Sequence, residues 1–500
     1  MTCRRRSSIW RALLAAGEPM VNKYWPGLFV ALLTVCGGAW AAPPDPLFIG
    51  ARSAPSPIRA LGDELPAEDP CAFAAPSSPL PLTEAIERAL CQNPQTRAAW
   101  EEARSQAALL GVARAAWLPS MAASVGYLAQ DARSRYEGEY AVLDAQTRPK
   151  TRSGSLKLSW TLFDAGLRSA NTEQAGALLD AANASHDLSI QRALLETAQA
   201  YFDAQTAVAL LRAAQAAETS ASHSYRATEA KYEAGVGALA DKLQAAVALS
   251  DARLQRVTAE GDLQTALGTL ATALGLAPDT PLTLPARDLA LPEAPFGKSA
   301  ADLFADAREH HPALLAARAE VQAAQARVRA IRAEGRPTLV FSAETSERRQ
   351  DKHIPISGYP PTGAAFRDSA LGMQLSIPLF EGFGRGYKVR AASSQAGVKA
   401  AELARLEQQV ALEVWKNFQS LNTRKEHIEA ADTLLVSARR SFAVAEGRFR
   451  AGVGNILELL GAQSAVAAAE QRRIEAHAGW LTARLKLAAS IGRLGLWAIR

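Results

Sequence analysis

The chain has 500 residues, 48% of them hydrophobic and 21% charged, with a formal net charge of +5. That composition supports a large core and excludes a disordered chain. It does not point to nucleic acid either: removing residues 1–41 takes away five cations and one anion and leaves +1, whereas phosphate binding needs clustered cations that survive processing.

From Met20 onward, Lys23, the apolar run 28–35 and Ala39-Trp40-Ala41 form the charged, apolar and small-residue parts of a secretory signal. The mature chain is therefore expected to begin near Ala42, with Met20 as an alternative start. Leu33-Thr34-Val35-Cys36 resembles a lipoprotein cleavage site, but the bulk of Val35 makes lipidation at Cys36 the lesser reading. Of the four cysteines only Cys71 and Cys91 lie beyond the leader. An even pair in an exported chain reads as a disulfide, with two buried free thiols as the alternative. No later stretch offers the roughly 20 consecutive apolar residues of a membrane helix, so any membrane crossing falls to strands.

The chain repeats itself, and such repetition sets architecture. Asn93-Pro94 and Pro119 recur as His311-Pro312 and Pro337. Leu158-Ser159, Leu162-Phe163-Asp164 and Arg168 recur as Leu375-Ser376, Leu379-Phe380-Glu381 and Arg385. Glu196 and Tyr201 match Glu413 and Phe418, and the run Tyr232 to Gly237 matches Phe449 to Gly454. A nearly constant offset across so many matches defines a tandem duplication. Residues 42–81 are a proline-rich lead-in, 82–276 the first repeat, 277–298 a linker and 299–500 the second repeat.

Each repeat reads as helix, hairpin, long helix, helix. Residues 82–116 form an alanine-rich helix opened by Thr83, with Glu84 and Glu87 near its N-terminus and Pro119 at its end. Residues 121–129 and 153–162 alternate; in the second, Leu156, Leu158, Trp160 and Leu162 share one face, with Ser155, Lys157, Ser159 and Thr161 on the other. The second repeat matches with Leu339, Phe341 and Ala343, then Leu371, Met373, Leu375 and Ile377. No proline interrupts residues 167–232, which predicts a helix of about 100 Å at 1.5 Å per residue. Its counterpart carries a heptad seam of Ile428, Ala431, Leu435, Ala438, Phe442, Ala445 and Phe449. The first-repeat seam, with polar interruptions, is Leu211, Ala214, Glu218, Ala221, Tyr225, Thr228 and Tyr232. Gly-Val-Gly then turns the chain into shorter helices at 239–274 and 456–491.

Strands of about 9 to 11 residues cross an outer membrane when tilted, and in lipid a sheet must close to satisfy its edges. Four strands are too few for a barrel, so closure requires several chains around one axis. Long helices leaving the same strand ends would extend the barrel as a tube. The expected fold class is thus mainly α with a membrane β-barrel.

The duplication, Pro81-Leu82-Thr83-Glu84-Ala85-Ile86 with Asn93-Pro94, the stretch from Leu158 to Asp164, and Tyr232 to Gly237 followed by Asp241 and Leu243-Gln244-Ala245 together resemble the TolC family over essentially the whole mature chain. The resemblance implies a homotrimer with a 12-stranded barrel in the outer membrane of a Gram-negative bacterium and a 12-helix periplasmic tunnel. It also implies docking of a periplasmic adaptor protein and an inner-membrane transporter at Gly235, Val236, Gly237, Gly452, Val453 and Gly454. Acidic residues beyond that turn ring the entrance in family members, which makes Asp241 and Glu458 entrance gate candidates; the alternative is solvated carboxylates near helix N-termini. A second acidic position seen in the family is Gly461 here, so a double ring is not expected. Tyr232 and Phe449 are further gate candidates, with ordinary seam packing as the alternative. Within the family, the two cysteines and residues 89–97 resemble members serving type I protein secretion through an ABC transporter. A multidrug or metal efflux duct fed by a proton-driven pump is the alternative, and a periplasmic coiled-coil scaffold without a pore is the remote one.

Enzyme signatures are missing from the sequence: it holds no His-Glu-x-x-His, P-loop, paired Cys-x-x-Cys or Gly-x-Ser-x-Gly. No catalytic residue, cofactor or metal is expected. His310-His311 precedes a proline and reads as packing or capping, and Gly382-Phe-Gly-Arg-Gly386 follows a membrane strand rather than cradling a nucleotide.

Overall fold

The computed structural model describes residues 45–52, 76–139, 145–285, 299–352 and 362–494. The expected signal region, Cys36 and Cys71 lie outside these residues. Two units are distinguished, Met1–Phe48 and Ile49–Arg500. Of the first, only a turn is described, in which the Phe48 N–H donates to the Asp45 carbonyl at 3.4 Å.

In the second unit the chain runs through α1 (Leu82–Gln92), α2 (Pro94–Ala115), β1 (Ser120–Ala129), β2 (Ala132–Ser134), β3 (Ala145–Thr147), β4 (Lys150–Phe163), α3 (Leu167–Glu233) and α4 (Leu239–Ala273). It continues with α5 (Ala300–His310), α6 (Pro312–Ala333), β5 (Thr338–Lys352), β6 (Thr362–Ser376), α7 (Gly384–Arg450) and α8 (Ile456–Ile491). Apart from the small β2–β3 hairpin, the second series repeats the first.

One expected helix is two. The backbone breaks at Asn93, whose extended conformation and following proline end α1 and start α2. The Asn93 side chain accepts the N–H groups of Gln95 at 2.8 Å and Thr96 at 3.4 Å. His311 does the same between α5 and α6, its Nδ1 accepting the Ala313 N–H at 3.3 Å, so the histidine is a helix cap. The first helix also starts at Leu82, with Pro81 in the N-cap place rather than Thr83.

The four long strands form one antiparallel sheet in the order β1-β4-β5-β6, so β4 and β5 join the two repeats. The register carries the apolar face from strand to strand. Met121, Leu158, Ala343 and Leu371 form one row, and Trp160, Phe341 and Met373 the next. On the opposite face, Lys157 lies beside Glu344, Ser155 beside Ser346, and Ser346 beside Asp368. In the single chain the outer strands are the most exposed, with Leu371 at 80% and Met373 at 69%, while much of β4 and β5 is half-buried. The outer edges of β1 and β6 pair with no strand among the described residues.

The helical core sits where α1, α4 and α8 pack against α3. Leu80, Ile86, Leu90, Leu194, Tyr201, Leu270, Leu274 and Leu485 are buried together there. The Tyr201 hydroxyl donates to the Leu80 carbonyl at 2.9 Å, so the lead-in is tied into this core. Leu303, Leu314, Val410, Val414, Leu421 and Leu487 form the matching core of the second repeat. Among the described residues no helix is long and apolar enough to cross a membrane.

Candidate functional site: the helical tip and the strand junction

The seam forms as two helical pairs. In the second repeat Ile428, Ala431, Leu435, Ala438 and Ala445 are buried on α7 against α8. In the first, Ala221 and Thr228 are buried, and Tyr225 packs beside Ala221 and Leu249. The polar interruption at Glu218 has a partner on α4: Arg256 lies at 2.8 Å and Arg253 at 3.4 Å. Ser224 reaches Gln463 of α8 at 3.4 Å, which links the two pairs.

Each pair ends in the same turn. Gly235 and Gly452 stand at φ +74° and +73°, the left-handed region that glycine enters without a Cβ clash. The Val236 N–H donates to the Lys231 carbonyl at 3.0 Å and the Gly235 N–H to that of Tyr232 at 3.0 Å, while Val453 and Gly452 repeat these bonds to Arg448 and Phe449 at 3.1 and 3.2 Å. These are Schellman closures, which satisfy the last carbonyls of a helix. The second glycine of each triplet answers a different demand. A Cβ on Gly237 would lie 2.9 Å from the Tyr232 nitrogen, and one on Gly454 2.8 Å from that of Phe449. The intervening Val236 and Val453 are 78% and 72% exposed at the end of the molecule farthest from the sheet.

The gate candidates fall into unlike settings. Asp241 lies in the first turn of α4 without a side-chain hydrogen bond or ion pair among the described residues. Glu458, in the first turn of α8, pairs with Arg448 at 3.5 Å. Tyr232 is 40% exposed, with the Lys242 ammonium 5.6 Å from its ring centre. Lys242 also pairs with Glu229 at 3.0 Å, and Glu229 accepts the Tyr225 hydroxyl at 2.7 Å. Those two hydrogen bonds, from Tyr225 first and Lys242 second, hold the Glu229 carboxyl below its ordinary value. Phe449 is engaged across the repeats, by Lys231. Sequence periodicity treated the two aromatics as equivalents; the lysines that separate them lie off the seam and carried no pattern.

At the other end, the motif shared by both repeats is a clasp between strand and helix. Arg168 donates from Nε to Asp164 at 2.7 Å and from an Nη to the Thr161 carbonyl at 2.6 Å, and its guanidinium lies 4.4 Å from the Trp117 ring. Asp164 also accepts the backbone N–H groups of Gly166 and Arg168 at 3.2 and 3.0 Å. Both side chains are more than nine-tenths buried. Glu381 and Arg385 pair likewise in the second repeat.

Cys91 is disulfide-bonded; Cys71, its expected partner, lies outside the described residues. His186 is fully buried, neither ring nitrogen has a hydrogen-bond partner among the described residues, and burial pushes its pKa down. Among the described residues no three His, Cys, Asp or Glu side chains gather as a metal site.

A sheet with one apolar and one polar face, continued by two helices of 67 residues each, defines an outer-membrane channel with a periplasmic helical domain. The chain belongs to the outer membrane efflux protein family, of the TolC type, whose model matches residues 85–276 and 303–493. It is 34% identical over 416 residues to Protein CyaE of Bordetella pertussis, covering 83% of this chain and 85% of that one. It is 26% identical over 275 residues, 54% of each chain, to the probable efflux pump outer membrane protein TtgC of Pseudomonas putida. Its fold matches the Campylobacter jejuni CmeC outer membrane channel with a TM-score of 0.70 at 16% identity, over 82% of this chain and 85% of that one. The protein is a transport channel and not an enzyme, in a family whose members work with an adaptor protein and an inner-membrane transporter.

Proposed function

We propose that three copies close one 12-stranded barrel and one 12-helix tunnel, and that this trimer is the outer-membrane duct of a tripartite efflux pump. The observation that carries the proposal is the four-stranded sheet whose apolar face is continuous in register and whose two edges, β1 and β6, are open. In lipid such edges need partners, and a neighbouring copy supplies them. The surface of α7 supports the same reading: Tyr387, Leu412 and Trp415 are 68%, 52% and 45% exposed, more apolar surface than one long helix leaves in water without a partner. At the tip, Val236 and Val453 with their flanking glycines are the docking surface for the adaptor, and Asp241 and Glu458 face the entrance.

Efflux is the reading favoured by the relatives named as efflux proteins, TtgC among them. This displaces type I protein secretion, which the resemblance around Cys91 had put first. Secretion stays as a second reading, on the resemblance of residues 89–97 and the two cysteines. Deleting the gene separates the two. Efflux predicts greater sensitivity to small toxic compounds with unchanged protein export; loss of one exported protein with unchanged sensitivity would reject it.

A further inference from the structure

Above the apolar rows, toward the strand ends far from the helices, the same face of the sheet changes character. In register, Tyr127 of β1 lies beside Arg152 of β4, and Arg152 beside Arg349 of β5. One row nearer the helices, Glu347 lies beside Arg367 of β6. Glu347 pairs with Arg349 at 2.8 Å and with Arg367 at 3.2 Å. Arg152 is exposed and makes no ion pair among the described residues.

Two guanidinium groups thus share one carboxylate, with a third, that of Arg152, on the neighbouring strand of the same face. Like charges directly opposite in an antiparallel pair destabilise it; Glu347 offsets part of that charge through Arg349 and Arg367, and a further anion beside Arg152 would offset the rest. The height of the row narrows what that anion is. Arg349 lies eight residues beyond Phe341 on β5, roughly 27 Å along the strand at ~3.4 Å per residue. At a strand tilt of about 40° that becomes roughly 20 Å, close to the ~25 Å apolar band of membrane barrels. The arginines therefore stand at the outer edge of the band, beside an aromatic of the kind that marks the membrane interface.

We propose that Arg152, Arg349 and Arg367 form a binding site for the phosphate groups of an anionic lipid in the outer leaflet of the outer membrane. Arginine suits this partner, since its planar fork takes two phosphate oxygens at once and it is more weakly hydrated than lysine. Glu347 holds two of the three forks in place, and the net positive charge left over supplies the attraction. The site rests on the apolar face of the sheet lying against lipid, and is independent of what the channel carries.

The test uses the full-length purified protein, incubated with a bisphosphorylated outer-leaflet glycolipid or with the same lipid stripped of both phosphates, and native mass spectrometry of bound lipid. The phosphorylated form should be retained and the stripped form lost. The triple variant R152Q/R349Q/R367Q should retain at least tenfold less, while R348Q, on the opposite face of β5, should bind as the parent does. If the triple variant does not assemble, R152Q alone should still bind less. Equal retention of both lipids, unchanged binding by R152Q and the triple variant, or displacement of lipid by millimolar inorganic phosphate would overturn the proposal. Unaltered channel conductance in the triple variant separates its failure from failure of the duct itself.

Discussion

Lys231 of the first long helix sets its ammonium 3.9 Å from the centre of the Phe449 ring and 3.3 Å from the Phe449 carbonyl oxygen, on the last turn of the second long helix. The contact fastens one helical pair to the other just above the Gly-Val-Gly turns. A cation over an aromatic face at a partly exposed site contributes about 0.5–1 kcal/mol, enough to bias a tip with two positions. Lys231→Ala is therefore expected to raise single-channel conductance in planar bilayers, and Phe449→Ala to act in the same direction. Lys242→Ala, which disturbs only the Tyr232 and Glu229 contacts of the first pair, should change conductance less. Equal conductance in all three variants and the parent would remove the fastening role.

Asp241 and Glu458 should not contribute equally to ion preference. Asp241 has no cationic partner among the described residues, whereas Arg448 offsets Glu458 at 3.5 Å. Repeated around an axis, free carboxylates attract cations. Asp241→Asn should lower cation selectivity, read as the reversal potential in a salt gradient, more than Glu458→Gln does. The reverse order would place the selective ring elsewhere.

Arg168→Ala leaves Asp164 buried without its cation. Breaking a buried pair by removing one partner costs about 3–5 kcal/mol, and here the Thr161 carbonyl also loses its donor. The variant should melt at a clearly lower temperature than the parent in detergent. A melting temperature within a degree of the parent's would show that the clasp contributes little.

His311 caps α6 through an unprotonated Nδ1, and burial pushes its pKa below the ordinary value of 6.5. The unfolded chain then takes up the proton more readily than the folded one. Stability is fully present above the unfolded pKa of about 6.5 and is lost as pH falls through the lower folded value. Buried His186, shifted in the same direction, adds to the loss. Melting temperature should fall from pH 7 to pH 5, and His311→Asn, which keeps a capping oxygen as Asn93 does, should flatten part of that fall. A parent with no fall over this range would contradict the assignment.

The long elements were legible because their periods are long. Sixty-seven residues without proline and a sustained heptad leave few alternatives to an extended helix, and period-two alternation located all four strands of the sheet. The break at Asn93 escaped because alanine-rich composition continues through it, while one capping side chain and the proline decide the geometry. The β2–β3 hairpin is three residues a side, too short for any period. At the tip, the glycines were legible from backbone demands alone. The partners of Glu458 and Phe449 were not, since they depend on which pair of helices a lysine or arginine leans toward. The arginine row of the sheet needed the register between β4 and β5, which joins strands far apart in sequence.

Planar-bilayer recording of the purified full-length protein tests the central claim most directly. A closed barrel leading into a helical tunnel predicts discrete single-channel steps, larger in Lys231→Ala than in the parent. A protein that inserts into the bilayer without producing steps would contradict it.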